Sequence, residues 1–302
     1  MAVLTGEMFS QMINALCFDI DDLTYSLNVK KGTCLPQQYL VEQETHALLA
    51  VLEELNIKAT MFIPGYVAQR FPDLVRKIGK SGHEIGSHGF KHVIADILQR
   101  KGFHEDASAS KKILEDILSK EVCIYKAPDW GITPRTIWAY DELISAGYKA
   151  DNSAQPSLLR SLGRRSDDMT PFTYKGSLTV IPVTSFSLMR YAIPFGGGLF
   201  CSYVPISIQI AHFKRLNQKG IPFNYYCHPF EFHPQGTNRH TWKYRSIRAA
   251  LYGMYFGKYR DYISRLANHF KFAPMHIAYH NSLHYTYNVS NLSSEVTCIG
   301  SP

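Results

Sequence analysis

The run NALCFDIDD, residues 14–22, decides how the chain is read. Ala15 to Phe18 form a short apolar stretch that stops at acidic residues, the pattern of a buried strand whose end meets solvent. Asp19 and Asp21 share one face by the strand period of two, and Asp22 begins the turn. Three carboxylates crowded at a strand end repel one another. Such crowding is tolerated where a cation neutralises it or where one group stays protonated. A turn whose Asp side chains cap backbone amides accounts for the same residues.

Outward from this strand, apolar residues recur at helical spacing from Glu42 to Leu55, and KATMFI (58–63) follows as a second strand. PDLVRKIGKSG (72–82) predicts a helix with Pro72 at its start and Gly79 and Gly82 near its end, leading into HEIGSH (83–88). Helical patterns from Glu105 to Ser119 and from Pro134 to Ala146 precede VCIYKAP (122–128) and GYKADNS (147–153). SLTVIPVTSF (177–186), a helical stretch from Pro205 to Lys219 and IPFNYYCHPF (221–230) continue the alternation. Strands alternating with helices predict an α/β protein built of βαβ units, with a parallel sheet and helices outside it. Six or seven such repeats favour a barrel, in which chemistry gathers where strands end and loops begin. No linker or internal repeat interrupts the pattern, so residues 1–302 are expected to form a single domain. Trp242 to Phe272 is expected to pack as helices on the outside, with a membrane surface or a second subunit as alternative uses of its aromatic and basic residues.

The 302 residues and 45% hydrophobic content suffice for a large core, which excludes disorder as the default. The net charge of +7 suits nucleic acid, an anionic membrane or a phosphorylated sugar carrier. With no basic run and no aromatic-basic ladder, nucleic acid is not an expected partner. The six cysteines are scattered without a CxxC pair, which a reducing compartment explains most simply. MAVLTGEMFSQMINAL (1–16) lacks the features of a signal peptide, and no run approaches the roughly 20 apolar residues of a membrane span. A soluble cytoplasmic protein is the expectation, and the glycosylation-type triplets at Asn288 and Asn291 read as chance.

Three further segments carry chemistry. In SHGFKH, His88 and His92 lie four apart, so on a helical turn both imidazoles would face one side at a separation that suits a single ion; two surface histidines are the plain alternative. His83 reads as structural. In YKAPDWGIT, Lys126, Asp129 and Trp130 would stand at the barrel mouth, where a lysine can orient a carboxylate. In YYCHPFEFHP, His228 ends an aromatic strand and Glu231 follows three positions later.

Taken in order and spacing, FDIDD, KATMFIPG, HEIGSHGFKH, YKAPDW and HPFEFHP with FKFAPM resemble the motif series of the polysaccharide deacetylase family, which includes rhizobial NodB. The resemblance covers about Asn14 to Ala278. The late HPFEFHP and the glycine-rich IPFGGGLFCSYVP are similar to the branch associated with exopolysaccharide gene clusters. It implies a distorted (β/α)7-type barrel of the NodB-like kind, with a core at about residues 14–278. It further implies Asp19 as general base, Asp21, His88 and His92 as metal ligands, and His228 as general acid. Lys126, Asp129, Trp130 and Glu231 are then expected to line the substrate site. The implied cofactor is a divalent metal, zinc first, with cobalt, nickel or manganese as alternatives.

The implied reaction removes an N-acetyl group from an amino sugar of a polysaccharide or its precursor. A sugar deformylase or other C–N amide hydrolase on the same scaffold is one alternative, and a catalytically silent carbohydrate-binding relative is another. The chain departs from the family pattern in two places. Ile20 separates Asp19 from Asp21, leaving Asp22 as an alternative ligand, and Lys126 stands where arginine is common and cannot present a planar fork. Sequence leaves open whether Asp151 or Glu231 tunes His228.

Overall fold

The computed structural model describes residues 12–23, 25–26, 38–188, 191–198, 201, 204–232 and 259–283. The opening strand β1 (Ile13–Asp19) is buried from Asn14 onward, which is why it is apolar on both faces. Leu16, Phe18 and Ile20 point outward into the large core shared with the helices, while Ala15 and Cys17 point inward. The inward residues join Phe62, Ile124, Ala150, Ile181, Met275 and Tyr279 in a small inner core.

β1 is the hub of the sheet. One edge pairs in parallel with β10 (Asn224–Cys227), Phe18 opposite Cys227. The other edge is shared by β11 (Lys271–Ala273) at its beginning and β2 (Thr60–Ile63) at its end. From β2 the sheet continues in parallel through β3 (Glu84–Ser87), β4 (Ile124–Tyr125), β5 (Ala150–Asp151) and β7 (Leu178–Val180). β6 (Phe172–Tyr174) adds an antiparallel edge strand beside β7. A separate hairpin, β8 (Ser185–Leu188) and β9 (Tyr191–Pro194), follows.

The curled sheet returns towards β10 through irregular contacts. Thr184 and Asn224 exchange two hydrogen bonds, and Tyr226 donates its amide to the Gly196 carbonyl at 2.7 Å. The backbone can come this near only without side chains: a Cβ on Gly197 would meet the Tyr226 carbonyl, and one on Gly198 (φ +64°) would meet the Tyr226 hydroxyl. This irregular seam is what distorts the barrel.

The helices α1 (Val41–Glu54), α2 (Gly65–Arg70), α3 (Pro72–Lys80), α4 (Ala95–Leu118), α5 (Ala139–Ser145), α6 (Pro156–Ser161), α7 (Ile206–Gln218), α8 (Tyr259–Ala267) and α9 (Met275–Ala278) accompany the sheet. α4 begins ten residues before the predicted Glu105, because it continues through a kink at Gln99 (φ 58°, ψ 171°). α5 is shorter than the predicted Pro134–Ala146, since tight turns occupy residues 134–138. Of the predicted Trp242–Phe272 segment, α8 and the residues to Phe272 are seen, with Ile263 and Leu266 buried; Trp242 itself lies outside the described residues. The lower end of the inner core is closed by α9, whose Met275 amide donates to Thr60 Oγ1, while Thr60 donates to Glu84. Among the described residues no helix is long and apolar enough to cross a membrane.

Candidate active site

The alternation that sends Cys17 and Ile124 into the inner core continues one step to Asp19 and Lys126, and from Tyr226 to His228. The three chemical side chains therefore rise from the inner face where β1, β4 and β10 end. Lys126 Nζ donates to both carboxylate oxygens of Asp19, at 2.7 Å each. His88 Nε2 and His228 Nε2 each lie 4.0 Å from Asp19 Oδ2. Asp19 and Lys126 are almost wholly buried.

Electrostatics assigns the protonation states. Burial pushes the Asp19 carboxyl up, but Lys126 foremost, then His88 and His228, reverse the shift and hold it below the usual range. Burial takes His88 down to about 4, against the opposing pull of Asp19, so this imidazole is neutral. Its Nδ1 lies 2.7 Å from the Lys126 carbonyl, which can only accept, so the proton sits there and Nε2 carries the lone pair. His228 is raised to about 9: burial lowers it, but Glu231 first, then Asp21 and Asp19, outweigh that penalty.

His88 and His92 do not lie on a helical turn. They sit in a loop after β3 in which Gly89 (φ +68°) and His92 (φ +55°) are both left-handed, and their ring centroids are 5.0 Å apart. The turn is dictated by backbone bonds: Gly65 and Tyr66 donate to the carbonyls of Gly89 and Phe90. His92 Nε2 is 3.5 Å from Asp21 Oδ2, which also accepts from Ser26 Oγ at 2.8 Å.

The two neighbouring aspartates differ in their surroundings. Asp22 spends both oxygens on backbone amides, Oδ1 on Tyr25 and Oδ2 on Leu40 and Val41, where it caps α1. Asp21 Oδ1 is buried with no hydrogen-bond partner. One carboxylate with an orphaned oxygen and two imidazoles, one of them with its lone pair fixed, are donors of the kind a divalent cation takes. Among the described residues, no three His, Cys, Asp or Glu side chains stand close enough together to form a finished cation cage. The donor set of Asp21, His88 and His92 nevertheless suits such an ion in its chemistry.

Glu231, fully buried, accepts the His228 amide at 2.9 Å and places Oε1 3.5 Å from His228 Nδ1. Asp151 is occupied elsewhere. It accepts the Ser153 amide and hydroxyl, at 2.8 and 2.6 Å, and Ser153 Oγ in turn receives the Ala127 amide beside Lys126. Burial raises Asp151 to about 7.

Asp129 is exposed and Trp130 half-buried, and both have φ +51°, a strained pair that turns the loop across the mouth. The Trp130 ring meets the Tyr226 ring edge-on at 5.1 Å, and the Tyr226 ring also lies 4.2 Å from Lys126 Nζ. Phe230 stacks on His228 at 4.7 Å.

Sequence reasoning missed Tyr226, Phe230, Glu44 and Asp106. Glu44 lies in the first turn of α1 and is buried. Burial first, then the charges of Asp22 and Asp21, push it up to about 8.

Residues 15–149 match the family model described as Polysaccharide deacetylase, and residues 153–280 match one described as a domain of unknown function (DUF3473). Among curated proteins, the peptidoglycan deacetylase of Helicobacter pylori is 28% identical over 106 residues, 35% of this chain and 35% of that protein. A peptidoglycan-N-acetylglucosamine deacetylase of Bacillus cereus is 33% identical over 84 residues, 28% of this chain and 39% of that protein. The chain thus aligns with little more than a third of the length of these relatives.

A crystal structure from Mycobacterium smegmatis, provisionally named a polysaccharide deacetylase, has a TM-score of 0.59 at 21% identity and covers 97% of this chain and 98% of its own. PuuE allantoinase has a TM-score of 0.58 at 15% identity, covering 92% and 93%. At these identities the likeness is one of fold: the distorted (β/α)7-type barrel expected from the sequence is the fold of this chain.

Proposed function

We propose that this chain, whose residues 15–149 match the polysaccharide deacetylase family model, is a metal-dependent hydrolase of that family that removes an N-acetyl group from an amino sugar of a polysaccharide or its precursor. The observation that carries this reading is the convergence on Asp19. One buried carboxylate is held by Lys126 and flanked at 4.0 Å by His88 on one strand end and His228 on another.

Asp21, His88 and His92 would hold the divalent ion, zinc first among the candidates. Asp22 is a poorer ligand because its oxygens are engaged by backbone amides. When bound, such an ion lowers the pKa of a water at the site and polarises the scissile carbonyl. Asp19, kept ionised by Lys126, takes the proton of the attacking water. Lys126 fixes which way the carboxylate faces and shares its charge with the Tyr226 ring.

His228, cationic below about pH 9, gives its proton to the departing amine, without which an amide nitrogen leaves poorly. Glu231 keeps that proton on the ring. Trp130 and Tyr226 offer an aromatic wall for a sugar ring, and Asp129, exposed beside them, can reach its hydroxyls.

The test is acetate release from N-acetylated amino sugars and their oligomers, with and without chelator, in wild type, Asp19→Asn and His228→Ala. Release abolished by chelator and by either substitution is expected. A wild-type protein that releases acetate from none of these substrates overturns the reading, and formate release instead would reassign the acyl group.

A further inference from the structure

The distance between the two imidazoles of the His88–His92 loop is set by something the loop itself does not contain. A left-handed conformation at His92 is uncommon for a residue with a side chain, and it persists only when its surroundings over-determine it. Two constraints come from below, where α2 donates the Gly65 and Tyr66 amides to the Gly89 and Phe90 carbonyls. They leave the amides of Phe90 and Lys91 unsatisfied by backbone.

Asp106 supplies the missing acceptors. It lies on α4, is buried, and takes the Phe90 amide on Oδ2 at 2.6 Å and the Lys91 amide on Oδ1 at 3.0 Å. Each oxygen thus binds one of two consecutive amides, Phe90 and Lys91, in the stretch between the two histidines. The carboxylate also fills the space beside Gly89, where an added Cβ would stand 2.9 Å from Oδ2. α4 is itself pinned to the barrel: Ser87 donates to Ser110 at 2.8 Å, and Tyr148 donates to the Ala107 carbonyl at 2.9 Å. The position of Asp106 is therefore fixed by the sheet, independently of the loop it grips.

We infer that Asp106 is a positioning residue that fixes the separation of His88 and His92, and thereby sets the affinity of this site for a divalent cation. It touches neither substrate nor ion, and acts through two backbone amides. This inference rests on the reading of Asp21, His88 and His92 as the cation ligands.

The experiment measures Zn2+ affinity of the metal-free full chain by competition with a chromophoric chelator, alongside its thermal unfolding without metal. Wild type, His88→Ala, Asp106→Ala and Asp106→Asn are compared. Losing an outer support of a metal ligand typically weakens binding about 10- to 100-fold, and Asp106→Ala is expected in that range. Asp106→Asn keeps one acceptor oxygen and turns an amide donor on the other amide, so a smaller loss is expected.

A purely structural role for Asp106 predicts a lower melting temperature with zinc affinity within twofold of wild type, and that result overturns the inference. Should Asp106→Ala fail to fold, Asp106→Asn decides by the same criterion. If wild type binds no Zn2+, or if His88→Ala binds as tightly as wild type, the ligand reading itself falls and takes this inference with it. That pattern is distinct from one in which His88 matters and Asp106 does not.

Discussion

Lys126 reaches both oxygens of Asp19 with a single ammonium group, at 2.7 Å each, and both residues are shut away from solvent. Removing Asp19 strands the Lys126 charge, and removing Lys126 leaves Asp19 with only the more distant His228 imidazolium, 4.0 Å away, as a counter-charge; breaking a buried pair destabilises proteins by up to about 3–5 kcal/mol. Lys126→Met is therefore expected to lower the unfolding free energy on that scale, and the double variant with Asp19→Asn to recover part of the loss. Urea denaturation of the single and double variants measures this coupling. A loss below about 1 kcal/mol in Lys126→Met would show that the pair contributes little.

The raised His228 imidazolium gives the proposed reaction an alkaline limit. A general acid is present below its pKa and lost as pH rises through it, so kcat is expected to fall above about pH 9. Because Glu231 is the main group holding the proton on the ring, Glu231→Gln should move this limb to lower pH. A pH–rate profile of acetate release reads both positions. An unmoved limb in Glu231→Gln would detach it from His228.

His83, buried at the start of β3, should make the fold sensitive to mild acid. Its Nδ1 accepts the Ala59 amide, and burial first, then the Lys58 charge, depresses its pKa to about 4. The unfolded chain, with an ordinary histidine pKa near 6.5, binds the proton more readily between these values. Stability is thus complete above about pH 6.5 and declines as pH falls towards 4, by up to about 3 kcal/mol. His83→Gln, whose side-chain oxygen can accept the same amide, should flatten this slope in melting curves of the metal-free protein across pH 4–7. Equal slopes in both proteins would argue against it.

Gly198→Ala forces a methyl group against the Tyr226 hydroxyl at a positive φ. Strain of this kind destabilises by about 1–3 kcal/mol. Because the Tyr226 ring covers Lys126 and meets Trp130, turnover should fall more than the loss of stability explains. Comparing kcat/KM with melting temperature for Gly198→Ala and Gly163→Ala separates the effects, since Gly163 also has positive φ but nothing within 4 Å of its added Cβ.

The barrel was legible in the sequence because its strands are short apolar runs ending in polar residues, and because Asp19, Lys126 and His228 each sit at such an end. The period of two that carries Cys17 to Asp19 is visible in the letters alone. The four-residue spacing of His88 and His92 was also visible, but it suggested a helical turn. Gly89 and a carboxylate eighteen positions after His88 bend the segment otherwise, and no local pattern announces a grip between distant residues. Asp106 falls inside the helical pattern from Glu105 to Ser119, whose spacing carries no sign of this grip. The choice between Asp151 and Glu231 likewise awaited the third dimension, since only the fold shows that the Ser153 amide and hydroxyl occupy the former.

The place of β1 in the sheet has a consequence for how the protein is made. One of its edges is completed by β10 and part of the other by β11, both more than 200 residues later in the chain. During synthesis β1 must wait, with open hydrogen-bonding groups, until residues 224–273 have left the ribosome. Contacts so distant in sequence make for slow folding, and an unpaired apolar edge in the meantime invites association with other nascent chains. Chaperone dependence and aggregation of chains shortened before residue 271 are the expected signs of this late closure.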